Sequence, residues 1–258
     1  MCGHAGYIGN NAAELALAKR LLIACSTRGK HATGYLEIGG DGRYTLRKQA
    51  VPASTFVEGM QFEFKGPNHT FLGHVRFATT GDKKSTVQAH PFVGNRFILF
   101  HNGSIQPYDE KRLGEKFNIR AENGVDSELF LAFLEQSGSV DALRDQFLPE
   151  LSEASAYALV IFDKVTKSVH FLRCNGRPLA YLKTGSGSVF YASTAAILQK
   201  AMGKAHCNIE LLQPYTHIEI ASFSGDILRK CVIGVAKSLN YSDAAAFIKS
   251  TGKPIRFL

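Results

Sequence analysis

The chain begins Met-Cys. Methionine is normally trimmed when the second residue is small, so the mature chain would begin with a cysteine carrying both a thiol and a free α-amine. Such a residue holds its nucleophile and its base together, because an α-amine titrates near pH ~8 and reaches its own thiol directly or through one water. No catalytic histidine or aspartate is then required, but an oxyanion hole and a substrate clamp are. Four segments offer them. Arg28-Gly29-Lys30-His31-Ala32-Thr33-Gly34 brings an arginine and two glycines to a point where backbone can approach the N-terminus. Gly73 to Gly81, GHVRFATTG, ends an apolar run in Arg76 and two hydroxyls, suited to gripping a carboxylate through a charge-assisted fork. Phe100-His101-Asn102-Gly103 sets a side-chain amide beside a glycine N–H, the two donors an oxyanion needs. Val125-Asp126-Ser127-Glu128 puts a carboxylate where it could receive an ammonium.

Each segment has a plainer reading when taken singly. Asn-Gly is a turn, an arginine on a strand is a surface ion pair, and Asp126 is a helix cap. Behind an N-terminal cysteine they make up nucleophile, oxyanion donors, carboxylate fork and ammonium acceptor. That complement is what hydrolysis of the side-chain amide of an α-amino acid requires.

The elements that must hold these residues alternate between two periods. Residues 11–27, rich in Ala and Leu, read as a helix, and 34–49 reads as a hairpin around Gly39-Gly40-Asp41-Gly42. Apolar strands follow over 68–81 and 96–105, the second running into Asn102-Gly103 as a turn signal. Helices are expected over 127–136 and 140–151, the first capped through Asp126-Ser127-Glu128. Hairpins over 155–174 and 178–193, turning at Asp163-Lys164 and Gly185-Ser186-Gly187, precede a short helix at 194–202 and a last strand pair around 216–234. Strands and helices in separate runs, without strict βαβ alternation, predict an α+β layered domain.

In order along the chain, MCGHAGYIG, RGKHATG, GHVRFATTG, AHPF, FHNGSI and VDSE resemble the motif series of class II glutamine amidotransferases. These are the N-terminal-nucleophile glutaminase domains of glucosamine-6-phosphate synthase and amidophosphoribosyltransferase. RCNGRPLAY and VFYAST resemble a later strand pair of the same domain, so the likeness runs from Cys2 to about residue 230. It implies an αββα sandwich of two antiparallel sheets, the Ntn-hydrolase fold. It also implies Cys2 as nucleophile, Asn102 and Gly103 as oxyanion hole, and Arg28 as the residue orienting the N-terminus. Arg76 would bind the glutamine carboxylate with Thr79 and the backbone near Thr80, Phe77 belongs to the same substrate-binding segment, and Asp126 would bind the ammonium. His90 would shape the pocket wall. The chain departs from the series at His31, where the family has an acidic residue, and at Thr80, where the sugar-type enzymes have histidine.

The implied reaction passes through a Cys2 γ-glutamyl thioester and needs no cofactor or metal. Family members continue into a synthase domain, so the expectation here is a glutaminase domain over 2–235 whose ammonia goes to a separate synthase subunit. Residues 236–258 would then be a closing helix or a docking tail. Five scattered cysteines without CxxC spacing argue against a disulfide framework or a structural zinc site. The N-terminus lacks a signal-peptide pattern, and no run approaches the roughly eighteen apolar residues of a membrane helix, so a reducing cytoplasm is expected. The formal charge of +8 is dispersed, its densest spots being pairs such as Arg47-Lys48 and Lys83-Lys84. This is the pattern of a solvated surface rather than a nucleic-acid face. Two other readings stay open: a stand-alone amidase acting on another γ-glutamyl compound, since Arg76 and Asp126 fix only the amino-acid end, and an inactive regulatory or nucleic-acid-binding module on the same fold.

Overall fold

A computed structural model describes residues 1–64, 66–78, 82–203 and 208–233. Among these, seven strands form one antiparallel sheet in the order β11 (Glu210–Leu211), β9 (Ala180–Lys183), β10 (Val189–Ala192), β1 (Gly3–Gly9), β4 (His69–Arg76), β2 (Ala32–Gly39), β3 (Tyr44–Gln49). Six form a second, in the order β13 (Ile227–Val232), β12 (Thr216–Ala221), β8 (Ser168–Arg173), β7 (Ala156–Asp163), β6 (Phe97–Ser104), β5 (Phe92–Val93).

The central strands are apolar on both faces because both faces are covered. In β1, Ala5 and Tyr7 point outward to helices α2 (Leu17–Cys25) and α7 (Ala195–Met202), while Ile8 points to the other sheet. In β6, Phe97 and Leu99 point outward to α5 (Ser127–Ser137), while Ile98 and Phe100 point inward. The result is three cores: an inter-sheet layer around Leu72, Phe100, Val160, Phe171 and Tyr191, and one beneath each helix layer. This is an α+β αββα sandwich, the layering expected of the Ntn-hydrolase fold.

Several expectations are refined. The helix read over 11–27 is two short segments, α1 (Ala12–Leu15) and α2, broken at Ala16. The helix read over 140–151 is one α turn, α6 (Val140–Ala142), that widens over Leu143–Phe147 and tightens over Leu148–Glu150, where Pro149 cannot donate an N–H. Two helices were not read from the sequence, α3 (Ala53–Glu58) and α4 (Pro107–Phe117). The second buries only Asp109 and Leu113, so its apolar stripe is too thin for periodicity to reveal. Asn102-Gly103 is not a turn. It lies inside β6, with Asn102 opposite Ala158 and Gly103 opposite Tyr157 on β7. The proposed tail, 236–258, lies outside the described residues.

Candidate active site

Cys2 immediately precedes β1, which runs antiparallel beside β4 with Gly3 opposite Val75. That register brings the thiol to the end of β4. There the Phe77 backbone N–H points at Sγ from 3.4 Å, and Sγ lies 3.7 Å from the Phe77 carbonyl oxygen. From the loop after α2, Arg28 donates through Nε to the Cys2 carbonyl oxygen at 2.7 Å. The Phe77–Ala78 backbone is braced in turn by His31, whose Nδ1 accepts the Ala78 N–H at 2.9 Å and whose ring stacks on Phe77 at 4.9 Å between centroids. Gly29 permits this crowding, since a Cβ there would sit 2.6 Å from the Arg76 carbonyl carbon.

Burial raises the Cys2 thiol above its ordinary pKa, with the Phe77 N–H and the nearby N-terminal amine pulling the other way. The thiol thus needs a base to ionise at neutral pH. The Met1 α-amine is pushed below its ordinary value, first by burial and then by the Arg28 and Arg177 charges, while the Cys2 thiolate opposes the shift.

Asn102 is only 1% exposed, and its Nδ2 has no hydrogen-bond partner among the described residues. A buried amide N–H left without an acceptor is costly, so it marks a place where an acceptor is expected to arrive. Next to it, Gly103 tolerates no side chain: a Cβ would fall on the Ala156 carbonyl oxygen and the His101 ring. His101 is itself held by Ser127 of α5, Nδ1 to Oγ at 2.9 Å.

Arg76 is 5% exposed; Nη1 donates to the Asp82 carbonyl at 2.7 Å and Nη2 to Gln88 Oε1 at 3.2 Å. Gln88 also accepts the Asp82 N–H and donates from Nε2 to the Asn123 carbonyl at 3.2 Å, tying the Arg76 side of the site to the loop before α5. Asp126 caps α5, its Oδ1 accepting the Ser127 N–H at 2.9 Å, and its Oδ2 accepts the Ile105 N–H at 2.6 Å just past the end of β6. Burial nevertheless lifts this carboxyl to about 6, against the pull of those donors. The cap reading and the ammonium-acceptor reading of Asp126 are therefore compatible, because both oxygens have further lone pairs.

The fold gathers Cys2, Arg28, Arg76, Phe77 and Asp126, with the Arg76 and Asp126 charges both acting on the Cys2 thiol. Asn102 and Gly103 stand on the same strand end that Asp126 holds through Ile105. His90, expected on the pocket wall, instead packs inside at 4% exposure, its ring 4.2 Å from that of His74 and 4.7 Å from that of Phe92. Both of its ring nitrogens lack a hydrogen-bond partner among the described residues. Thr79 and Thr80 lie outside the described residues. Sequence reading passed over Gln88, His4 and His74; the signal for the two histidines was a polar residue at an inward position of an otherwise apolar strand. Among the described residues no group of His, Cys, Asp and Glu could hold a metal ion, and no helix is long and apolar enough to cross a membrane.

No protein-family model matches the chain. It is 27% identical over 240 residues to glutamine–fructose-6-phosphate aminotransferase of Campylobacter jejuni, covering 89% of this chain and 38% of that protein. It is 27% identical over 215 residues to 7-cyano-7-deazaguanine synthase of Saccharolobus solfataricus, covering 81% of this chain and 45% of that one. Glutamine phosphoribosylpyrophosphate amidotransferase of B. subtilis superposes with a TM-score of 0.67 at 19% identity, over 99% of this chain and 65% of that one. A glutamine aminotransferase class-II domain protein of Silicibacter pomeroyi superposes with a TM-score of 0.57 at 13% identity, over 92% of this chain and all of that one. The chain is thus similar in sequence to these enzymes and in fold to these amidotransferase structures. Its curated relatives are enzymes, and the solved structures share its fold. The chain spans less than half the length of those curated relatives, 38% and 45%.

Proposed function

We propose that this chain hydrolyses the side-chain amide of glutamine to glutamate and ammonia through a thioester on Cys2, after removal of Met1. The Cys2 α-amine takes the thiol proton, and the sulfur attacks the amide carbon. The negative oxygen of the tetrahedral intermediate accepts hydrogen bonds from Asn102 Nδ2 and the Gly103 N–H. The carbon–nitrogen bond breaks as the ammonium form of the α-amine returns its proton to the leaving nitrogen, releasing ammonia. Water, deprotonated by the same amine, then attacks the γ-glutamyl thioester and frees glutamate and the thiol. Arg76 holds the substrate carboxylate, assisted by Thr79 and the backbone near Thr80, and Asp126 holds the ammonium.

The observation that carries this reading is the buried Asn102 amide without an acceptor, on the strand end held through Ile105 by Asp126, a carboxyl that also acts on the Cys2 thiol. The names of the curated relatives support glutamine as the nitrogen source. In the mature protein, Cys2→Ala should abolish glutamine hydrolysis and Asn102→Ala should lower kcat by on the order of 10²–10³. Wild-type rates in either variant, or an intact Met1 in the active form by mass spectrometry, would overturn it. We also propose that the ammonia passes to a separate acceptor subunit in a reducing, cytoplasmic compartment. The free thiols of Cys2, Cys25, Cys174 and Cys231 fit such a compartment. Recovery of no acceptor enzyme in a pull-down from native extract, alongside full glutaminase activity alone, would count against a partner.

A further inference from the structure

His4 and His74 are register partners on β1 and β4, both fully buried, with ring centroids 5.3 Å apart. Each sends its imidazole out of its own sheet and into the other. His4 Nε2 meets the Ala158 carbonyl oxygen at 2.9 Å, and His74 Nε2 meets the His101 carbonyl oxygen at 3.1 Å. The two acceptors are not arbitrary places on the second sheet. Ala158 is the cross-strand partner of Asn102, and His101 is the residue before it. The two donors sit close to the other half of the site, His4 two residues after Cys2 and His74 two residues before Arg76.

We propose that His4 and His74 are positioning residues that fix the separation between the Cys2 thiol and the Asn102 amide by bolting the two sheets together on either side of Asn102. This rests on the glutaminase reading above. A sandwich held only by apolar side chains can slide, because dispersion has no direction, whereas two imidazole–carbonyl bonds define distance and register. Because the acceptors are carbonyls, both rings carry their proton on Nε2. Burial drives His4 down to about 3 and His74 well below the ordinary histidine range, so both rings stay neutral at working pH. Misplacement of a reacting group by about 1 Å costs on the order of 10²-fold in rate, which sets the expected effect.

The test measures kcat and KM for glutamine, together with the rate of Cys2 alkylation by iodoacetamide, in the mature protein. Alkylation uses the thiol but no oxyanion donor. His4→Phe and His74→Phe keep ring volume and lose the bond; kcat should fall about 10²-fold, with KM and the alkylation rate unchanged. His4→Gln and His74→Gln carry an amide N–H near the Nε2 position and should recover most of the loss. If the phenylalanine variants fail to fold by circular dichroism, His4→Asn, too short to reach Ala158, carries the same expectation. Unchanged kcat, alkylation falling in step with kcat, or glutamine variants no better than phenylalanine ones would overturn the proposal. A wild-type protein that hydrolyses no glutamine would instead defeat the function on which it rests.

Discussion

Arg28 reaches back from the loop after α2 to donate from Nε to the carbonyl oxygen of Cys2 at 2.7 Å. The bond orients the first peptide unit, and the guanidinium charge adds to the burial that lowers the Met1 amine, as it would act on the Cys2 amine once Met1 is removed. Arg28→Gln should lower kcat roughly tenfold or more, the scale of one lost charge-assisted hydrogen bond. Removing the positive neighbour lets the amine pKa rise. Because the amine acts in its neutral form, the ascending limb of kcat/KM in the mature protein should move to higher pH. A limb that stays in place while kcat falls would leave Arg28 a purely geometric role.

Asp126 titrates at about 6 because burial disfavours its charged form. On the proposed function the ionised Asp126 carboxylate holds the substrate ammonium, so KM for glutamine should rise as pH drops through about 6 while kcat changes less. The sign for stability is opposite. A carboxyl whose folded pKa exceeds its unfolded value of 3.8 favours the fold below that value, and this contribution is lost as pH climbs from 3.8 to about 6. Asp126→Asn should abolish the acid rise in KM by raising KM at all pH; a wild-type-like pH profile in that variant would remove Asp126 from the binding role.

His31 supplies an acceptor, not a charge, to Ala78. Its pKa lies below the ordinary histidine value, through partial burial and then the nearby charges of Lys83, Arg76 and Lys30. Protonation in acid turns the acceptor into a donor and releases the Phe77–Ala78 backbone from beside Sγ, so an acid limb in kcat is expected. His31→Asn offers a carbonyl oxygen near the Nδ1 position and does not titrate; it should keep activity at neutral pH and flatten that limb. A limb that persists in the variant would assign it to another group.

Gly103→Ala places a methyl against the Ala156 backbone on the neighbouring strand, where neither chain can give without unpairing. Urea unfolding should show a loss of about 1–3 kcal/mol, the usual range for overpacking. The activity loss should exceed what that destabilisation explains, since the displaced strand carries Asn102.

The architecture was legible in the sequence wherever hairpins carry their own turns, as at Asp163–Lys164 and 185–187, because period-two patterning and turn chemistry are local. Helix α4 was not, since its buried face is little more than Leu113. Cys2 stands out in the sequence by its place after Met1, and Arg76, Asn102 and Asp126 by their joint occurrence behind it; the structure brings Arg76 and Asp126 close enough to act on the Cys2 thiol. The Asn102-Gly103 turn was misread because a dipeptide that favours turns sits in a strand here, with β7 paired across it, a tertiary fact with no local mark. Gln88, His4 and His74 act through partners 6 to 154 residues away, and the longer of these links have no local mark in the spacing.

The unmet N–H of Asn102 has one more consequence, for how firmly the ligand-free protein holds its shape. A buried donor left without an acceptor costs about 1–3 kcal/mol, and an apolar side chain in its place makes no such demand. An Asn102→Leu protein should therefore be inactive yet unfold at the same or higher urea concentration than the wild type. A glutamine analogue trapped on Cys2, by giving Asn102 its acceptor and Asp126 its cation, should raise the melting temperature beyond what its apolar contacts supply. On the proposed function, the molecule that best satisfies this strand end is the one midway through reaction.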